Sequence, residues 1–207
     1  MLSCEVLTLL LSELVNMTRD SGRGFATYIS DVIARCKLQK TILHCLLASV
    51  YDAREQTSGG RRQHITEAIV HFNERSASML VNNNMQIKLL SLVRMIIVLE
   101  EQIRSTRGDA EDALPHGWGA RLTPNSPHSL KYIPGRPMAQ QSMFLNAVMS
   151  ALKQQHQCQM HQHVVAMVTS ALPYLGRALG NILVCVVLQL CRNLDLLASF
   201  YSGQTNR

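Results

Sequence analysis

The chain has 207 residues, of which 47% are hydrophobic and 16% charged, where soluble domains usually carry ~25% charge. Much apolar surface must therefore be hidden, inside this fold or against something else. The formal charge of +6 draws anionic lipid, acidic proteins or nucleic acid only at long range. Its basic residues are scattered, with Arg61–Arg62 the densest pair. No basic stripe with interleaved aromatics supports nucleic-acid binding, so no nucleic-acid partner is expected.

Leu2 to about Thr18 reads as a helix with apolar residues over more than half its circumference, wider than the stripe of a surface helix. Met1–Val15 lacks a basic start and carries Glu5 and Glu13, so it is not expected to be a signal peptide. Ser21-Gly22-Arg23-Gly24 breaks the pattern. Phe25 to about Ala53 follows as a second helical region with a kink or short turn near Cys36–Gln39, its later part (Ile42, Leu43, Leu46, Leu47, Val50, Tyr51) having clean helical spacing. Gln56–Gln63, with Gly59-Gly60, reads as a connection. A weaker helix is expected at about His64–Glu74. Asn82-Asn83-Asn84 then offers an N-cap for a helix from Met85 to Arg104.

Residues 108–137 hold five of the six prolines and the single tryptophan, Trp118, and read as an exposed loop of unusual length. Helices resume at about Met138–Gln155, Cys158–Ala171 and Pro173–Tyr201, with Pro173 suited to a first turn. The pattern predicts an all-α chain of antiparallel helix pairs, either a HEAT/armadillo-like α-solenoid segment or an irregular helical bundle. Its divisions are 1–107, the 108–137 loop, and 138–207. The apolar first helix favours stacking, because the free end of a solenoid needs a polar outer face.

Ala178–Cys191, about 14 residues between Arg177 and Arg192, falls short of the ~20 needed to span a bilayer and is expected to be a buried core helix. Gly176 and Gly180, at GxxxG spacing, then mark close packing. Leu183, Leu190 and Leu197, with Val187, Leu194 and Tyr201, form a heptad-like seam expected to pack on a neighbouring helix. A partner or dimer contact is the alternative.

The candidate chemistry is thin. His156, Cys158, His161 and His163 form the densest cluster of metal-ligand types, but they split between two helix faces without a carboxylate. Adjacent His44 and Cys45 point about 100° apart on a helix. The acidic run Glu100-Glu101 and Asp109–Asp112 is expected to be solvated. The six cysteines (4, 36, 45, 158, 185 and 191) form no CxxC pair and are expected to be reduced core residues in a cytosolic protein. No catalytic, cofactor-binding or metal residue is assigned, and no enzyme or cofactor is expected.

Gln141-x-Met143-Phe144-Leu145, Ser150-Ala151-Leu152, Val168-Thr169-Ser170-Ala171-Leu172-Pro173 and Gln189-Leu190-Cys191-Arg192-Asn193-Leu194 resemble the C-terminal region of the Dopey proteins, and Met1–Tyr51 is similar to the helical stretch before it. The resemblance implies part of a very large scaffold of vesicle traffic, peripheral on cytosolic Golgi and endosomal membranes. It also implies a large HEAT-repeat protein partner and a leucine-zipper-like C-terminus, with no catalytic residues. An anionic membrane surface and oligomerisation through the last helix join the expected contacts. The competing expectation is a self-contained bundle whose ten methionines line an adaptable pocket for a lipid or apolar ligand.

Overall fold

The structure is a computed structural model that describes residues 2–58, 79–108, 130–155 and 158–204; side chains are described for all of these except 52–58, 79–82 and 203–204. Its seven α-helices among the described residues are α1 (Leu2–Asp20), α2 (Arg23–Arg35), α3 (Leu38–Ser58), α4 (Met79–Arg107), α5 (Ser142–Leu152), α6 (Cys158–Ala171) and α7 (Leu179–Gln204). The chain is all-α, as the sequence predicts. The expected helix at His64–Glu74, the connection around Gly59-Gly60, and most of the 108–137 loop lie outside the described residues.

The contacts sort the helices into two layers. α2, α3, α5 and α7 follow one another in the first, and α1, α4 and α6 in the second. α3 pairs with α4, and α5 pairs with α6, across the layers. This is how stacked helix pairs bury a continuous core, each element covering its neighbours along the stack. α1 turns the stripe Cys4, Leu11, Val15 and Thr18 inward, at spacings of seven, four and three residues that keep them on one helix face.

α4 is the central post, touching α1, α2, α3 and α6. Leu89, Leu90, Leu92, Val93, Met95, Ile96, Ile97, Leu99 and Ile103 are all buried and together cover well over half the circumference of the helix, leaving a strip through Ser91, Arg94, Val98 and Gln102 that is only half-buried. Phe144 of α5 is the largest fully enclosed side chain. Buried glutamines then stitch helix to helix. Gln86 Nε2 of α4 donates to the Ser49 carbonyl of α3 at 2.8 Å, and Gln154 Nε2 donates to the Val50 carbonyl at 2.7 Å. A buried amide is tolerated only where its polar atoms find such partners.

Several boundaries differ from the sequence pattern. α4 begins at Met79 and runs through Asn82–Asn84, so these asparagines do not cap it; the apolar Met79-Leu80-Val81 ahead of them extends the helix. The expected start at Met138 is a 3₁₀ turn (Met138–Gln140) before α5. Pro173 lies in a 3₁₀ turn (Leu172–Tyr174), followed by a second at Gly176–Ala178, and α7 starts only at Leu179. Gly180, inside α7, has nothing near its missing Cβ and so marks no close packing, while Gly176 sits at φ 49° in the turn before α7. Of the cysteines only Cys4 is buried, while Cys36, Cys158 and Cys191 are exposed, so the expected set of core cysteines reduces to one.

The kink or short turn expected near Cys36–Gln39 is a short turn at Cys36–Lys37. Lys37 adopts φ 49°, and its amide donates back to the Ala34 carbonyl, the left-handed helix end that usually takes glycine. Lys37→Gly removes the Cβ strain and should raise stability by about 1 kcal/mol, read as a higher midpoint in urea denaturation. An unchanged or lower midpoint would contradict the geometry.

Candidate interaction surface

α7 joins the stack by one narrow stripe. Ile182, Val186 and Gln189 are buried, and Asn193 Nδ2 donates to the Leu152 carbonyl of α5 at 2.9 Å. Ten large apolar side chains on the same helix are exposed, among them Leu183 (44%), Val187 (47%), Leu194 (64%) and Leu197 (54%). Every residue from Leu194 to Ser202 is exposed. The expectation of a buried core helix at Ala178–Cys191 is therefore overturned. The heptad-like seam belongs to the open face: Leu190 is half-buried, while its other five positions are exposed. The stripe one residue away, 182-186-189, is the one that packs. Gly176–Ser202, 27 residues containing an 18-residue window of mean hydropathy 1.7, is also long and apolar enough to cross a membrane by length and composition. The sequence estimate stopped at Arg192, which the helix passes through.

α1 repeats the arrangement at the other end of the stack. Opposite its buried stripe, Leu2, Val6, Leu9, Leu10 and Met17 are exposed, Leu2 at 75%. Soluble monomers rarely expose contiguous apolar strips beyond a few hundred Å², and here both terminal helices carry one.

A different kind of site lies where α2, the C-terminal half of α4, the segment before α5 and the turn before α7 meet, a cleft of about 450 Å³. Ile133-Pro134-Gly135-Arg136 forms a turn closed by the Arg136 amide on the Ile133 carbonyl, with Gly135 at φ 77°, as Pro-Gly at the centre of a type II turn requires. The Gln141 side chain clasps this turn. Its Oε1 accepts from the Ile133 amide at 3.0 Å, and its Nε2 donates to the carbonyls of Ile133 and Arg136. Glu100 holds the segment to α4, one carboxylate oxygen accepting from Gln39 Nε2 at 2.8 Å and the other from the Met138 amide at 2.7 Å. Tyr132 Oη donates to Gln39 Oε1.

Glu100 was expected in a solvated acidic run. Instead, burial pushes its carboxyl up to about 7, against the two hydrogen bonds that favour the ionised form. The residue still touches water through the cleft. Tyr132 is raised too, by burial and by the neighbouring Glu100. The sequence could not have singled out Glu100, because Glu100-Glu101 looks like any solvated pair.

The comparisons with known proteins fit this architecture. The family model described as the DOP1 TPR domain matches residues 1–207. Protein DOP1 homolog of Drosophila melanogaster is 38% identical over 93% of this chain and 8% of its own length. The chain belongs to the Dopey (DOP1) family. Protein DOP1B of Xenopus laevis is 30% identical over 98% of the chain and 9% of its own length, and that of Mus musculus is 28% identical over 98%. The chain thus spans less than a tenth of the length of these relatives. No solved structure matches it.

In this Dopey chain the pieces that carried the resemblance are packing elements. Gln189 and Asn193 bond to each other at 2.9 Å on the face of α7 that meets α5. Ala171 is fully buried at the end of α6. Met143 and Phe144 are fully buried in α5. The histidine and cysteine candidates do not converge. His156 lies outside the described residues, Cys158 is exposed at the start of α6, and His161 Nε2 lies 3.2 Å from the Gln154 carbonyl. Among the described residues no group of three potential ligands could hold a metal. Gln154, beside this cluster, is buried. Burial and then Lys40 lower the pKa of His44, while burial and then Cys4 raise that of Cys45. Both shifts oppose the thiolate–imidazolium pair that a nucleophilic cysteine needs.

Glu100 gives a pH signature. A carboxyl whose pKa is higher in the folded state binds its proton more tightly there, so its contribution to stability is full below about 4.5 and is lost as pH rises towards 7. Sealed from water the effect would approach ~3 kcal/mol, and access through the cleft lowers it to about 2. The groups facing it are Gln39 and Tyr132, the Met138 amide, and the charges of Glu101, Arg104 and Arg136 around the cleft. Glu100→Gln should match the parent near pH 5 and exceed it increasingly up to pH 8 in chemical denaturation. A difference that does not vary with pH would contradict the shift.

Proposed function

We propose that this chain is a non-enzymatic segment of a scaffold in Golgi–endosome vesicle traffic, working through protein contacts at the cytosolic side of those membranes. The observation that carries the reading is the uncovered apolar face of α7 in a chain of the Dopey family. α5 is flanked in its layer by α3 and α7 and is paired across the layers with α6. α7 occupies an equivalent place in the first layer, yet among the described residues no helix covers its outer side. A helix-faced partner fits there, either the next pair of a longer stack or a separate helical protein, such as the large HEAT-repeat partner associated with the family. The net charge of +6 adds long-range attraction to an anionic membrane surface.

The competing reading, a closed bundle with a methionine-lined apolar pocket, has less support. Met138, Met143, Met160 and Met167 are buried as core filling, and no methionine lines the cleft.

The test is to tag the endogenous protein and image it with Golgi and endosomal markers, with and without Leu183→Asp, Val187→Asp, Leu194→Asp and Leu197→Asp. The parent should coincide with the markers, and the substituted protein should lose most of that overlap at equal abundance. A diffuse parent protein contradicts the reading, as does full recruitment of the substituted one.

A further inference from the structure

α7 is a first-layer helix without a partner in the second layer. α3 faces α4 and α5 faces α6, whereas among the described residues no helix follows α6 to pair with α7. α1 is the reverse case. It is the outermost helix of the second layer, and the face it turns away from α4 carries the exposed Leu2, Val6, Leu9, Leu10 and Met17.

The polar contacts fix how the two bare faces stand to each other. Glu5 lies 3.0 Å from Lys88, and Thr106 Oγ1 donates to the Thr18 carbonyl at 3.3 Å, so α1 runs in the direction of α4. Gln86 and Gln154 reach the neighbouring Ser49 and Val50 carbonyls, and Asn193 reaches that of Leu152. The late parts of α3, α5 and α7 therefore stand level with the start of α1. At the opposite end Gln39 and Met138 meet Glu100, and the turn before α7 lies beside Met138–Gln140. α7 thus runs against α1, with Leu2–Leu10 level with the stretch around Asn193. A copy shifted along the stack, its layers kept, brings its own α1 antiparallel onto Leu183, Val187, Leu194 and Leu197.

Charge and area agree with that occupant. α1 carries Glu5, Glu13 and Asp20 against Arg19 alone, while residues 138–207 carry Asp195 as their one acid against Lys153, Arg192 and Arg207, leaving Arg177 aside. An acidic helix and a basic end attract across the contact, whereas two α7 helices would bring like ends together. Covering these half-exposed side chains on both helices buries roughly 1,000 Å² in total, the lower limit for a specific interface.

We propose that the open face of α7 is filled by α1 of a second copy of this chain, docked head-to-tail in the vacant second-layer place. The proposal rests on the reading of α7 as an open docking face and names its occupant.

Sedimentation velocity on the full chain and two variants tests it. Val6→Asp with Leu9→Asp spoils the α1 face and keeps α7, while Leu194→Asp with Leu197→Asp does the reverse. The parent should form a concentration-dependent series running past the dimer, because a head-to-tail contact does not close on itself. Each variant alone should stay monomeric up to about 200 μM, and the two mixed should form a 1:1 dimer that grows no further. All four positions are exposed, and the same pairs changed to Gln repeat the test should the aspartates lower helix content by circular dichroism. The proposal is overturned if either variant dimerises alone, which would mean a symmetric α7 or α1 pair, or if the parent stays monomeric. It is also overturned if the parent associates but the mixed variants do not. That last result would leave the α7 face open to a different helical partner, a reading the imaging of the tagged protein decides separately.

Discussion

Burial of α4 over most of its circumference is the constraint on which the rest of the structure depends. A helix with leucines, isoleucines and valines over well more than half its circumference cannot lie on a surface by one face alone, so α1, α2, α3 and α6 are drawn around it. That arrangement fixes the two layers. It also places Glu100, on the same helix, beneath the segment that leads into α5, where its carboxylate receives Gln39 and the Met138 amide. Stability and cleft geometry therefore come from one helix.

α7 is the informative contrast. It is more apolar than α4, yet only Ile182, Val186 and Gln189 are buried along it. Composition alone pointed to the core for Ala178–Cys191. What separates the two helices is the number of neighbours the fold supplies, and no local pattern encodes that number. The heptad-like seam was legible in the sequence, and its reading as a seam stands; which side of the helix the chain's own core would use was not. α1 was read more successfully, because apolar residues over more than half its circumference already implied a second face needing cover, and Leu9 and Leu10 are exposed accordingly.

Other features divide along the same line between local and non-local information. The kink at Cys36–Lys37, α6 at Cys158–Ala171 and the turn at Pro134–Gly135 follow from short-range chemistry and sit where the residues allow. The asparagine cap failed because apolar residues upstream outweighed it. The cleft was not legible at all: its arginines lie between positions 104 and 177 and come together only through packing. The buried glutamines were equally hidden. Gln39, Gln86, Gln141 and Gln154 have the composition of surface residues, and only the backbone carbonyls and side chains they reach make their burial tolerable.

The central claim is that the chain's fold closes around α4 but leaves the apolar side of α7 open for a helical partner. Light scattering on the purified chain over a range of concentrations, with circular dichroism on the same samples, tests it most directly. The account predicts a helical chain that self-associates as concentration rises and returns to monomer in mild detergent. A monodisperse, cooperatively melting monomer at every concentration, unaffected by detergent, would mean that α7 folds back and covers its own face, and the account would be wrong.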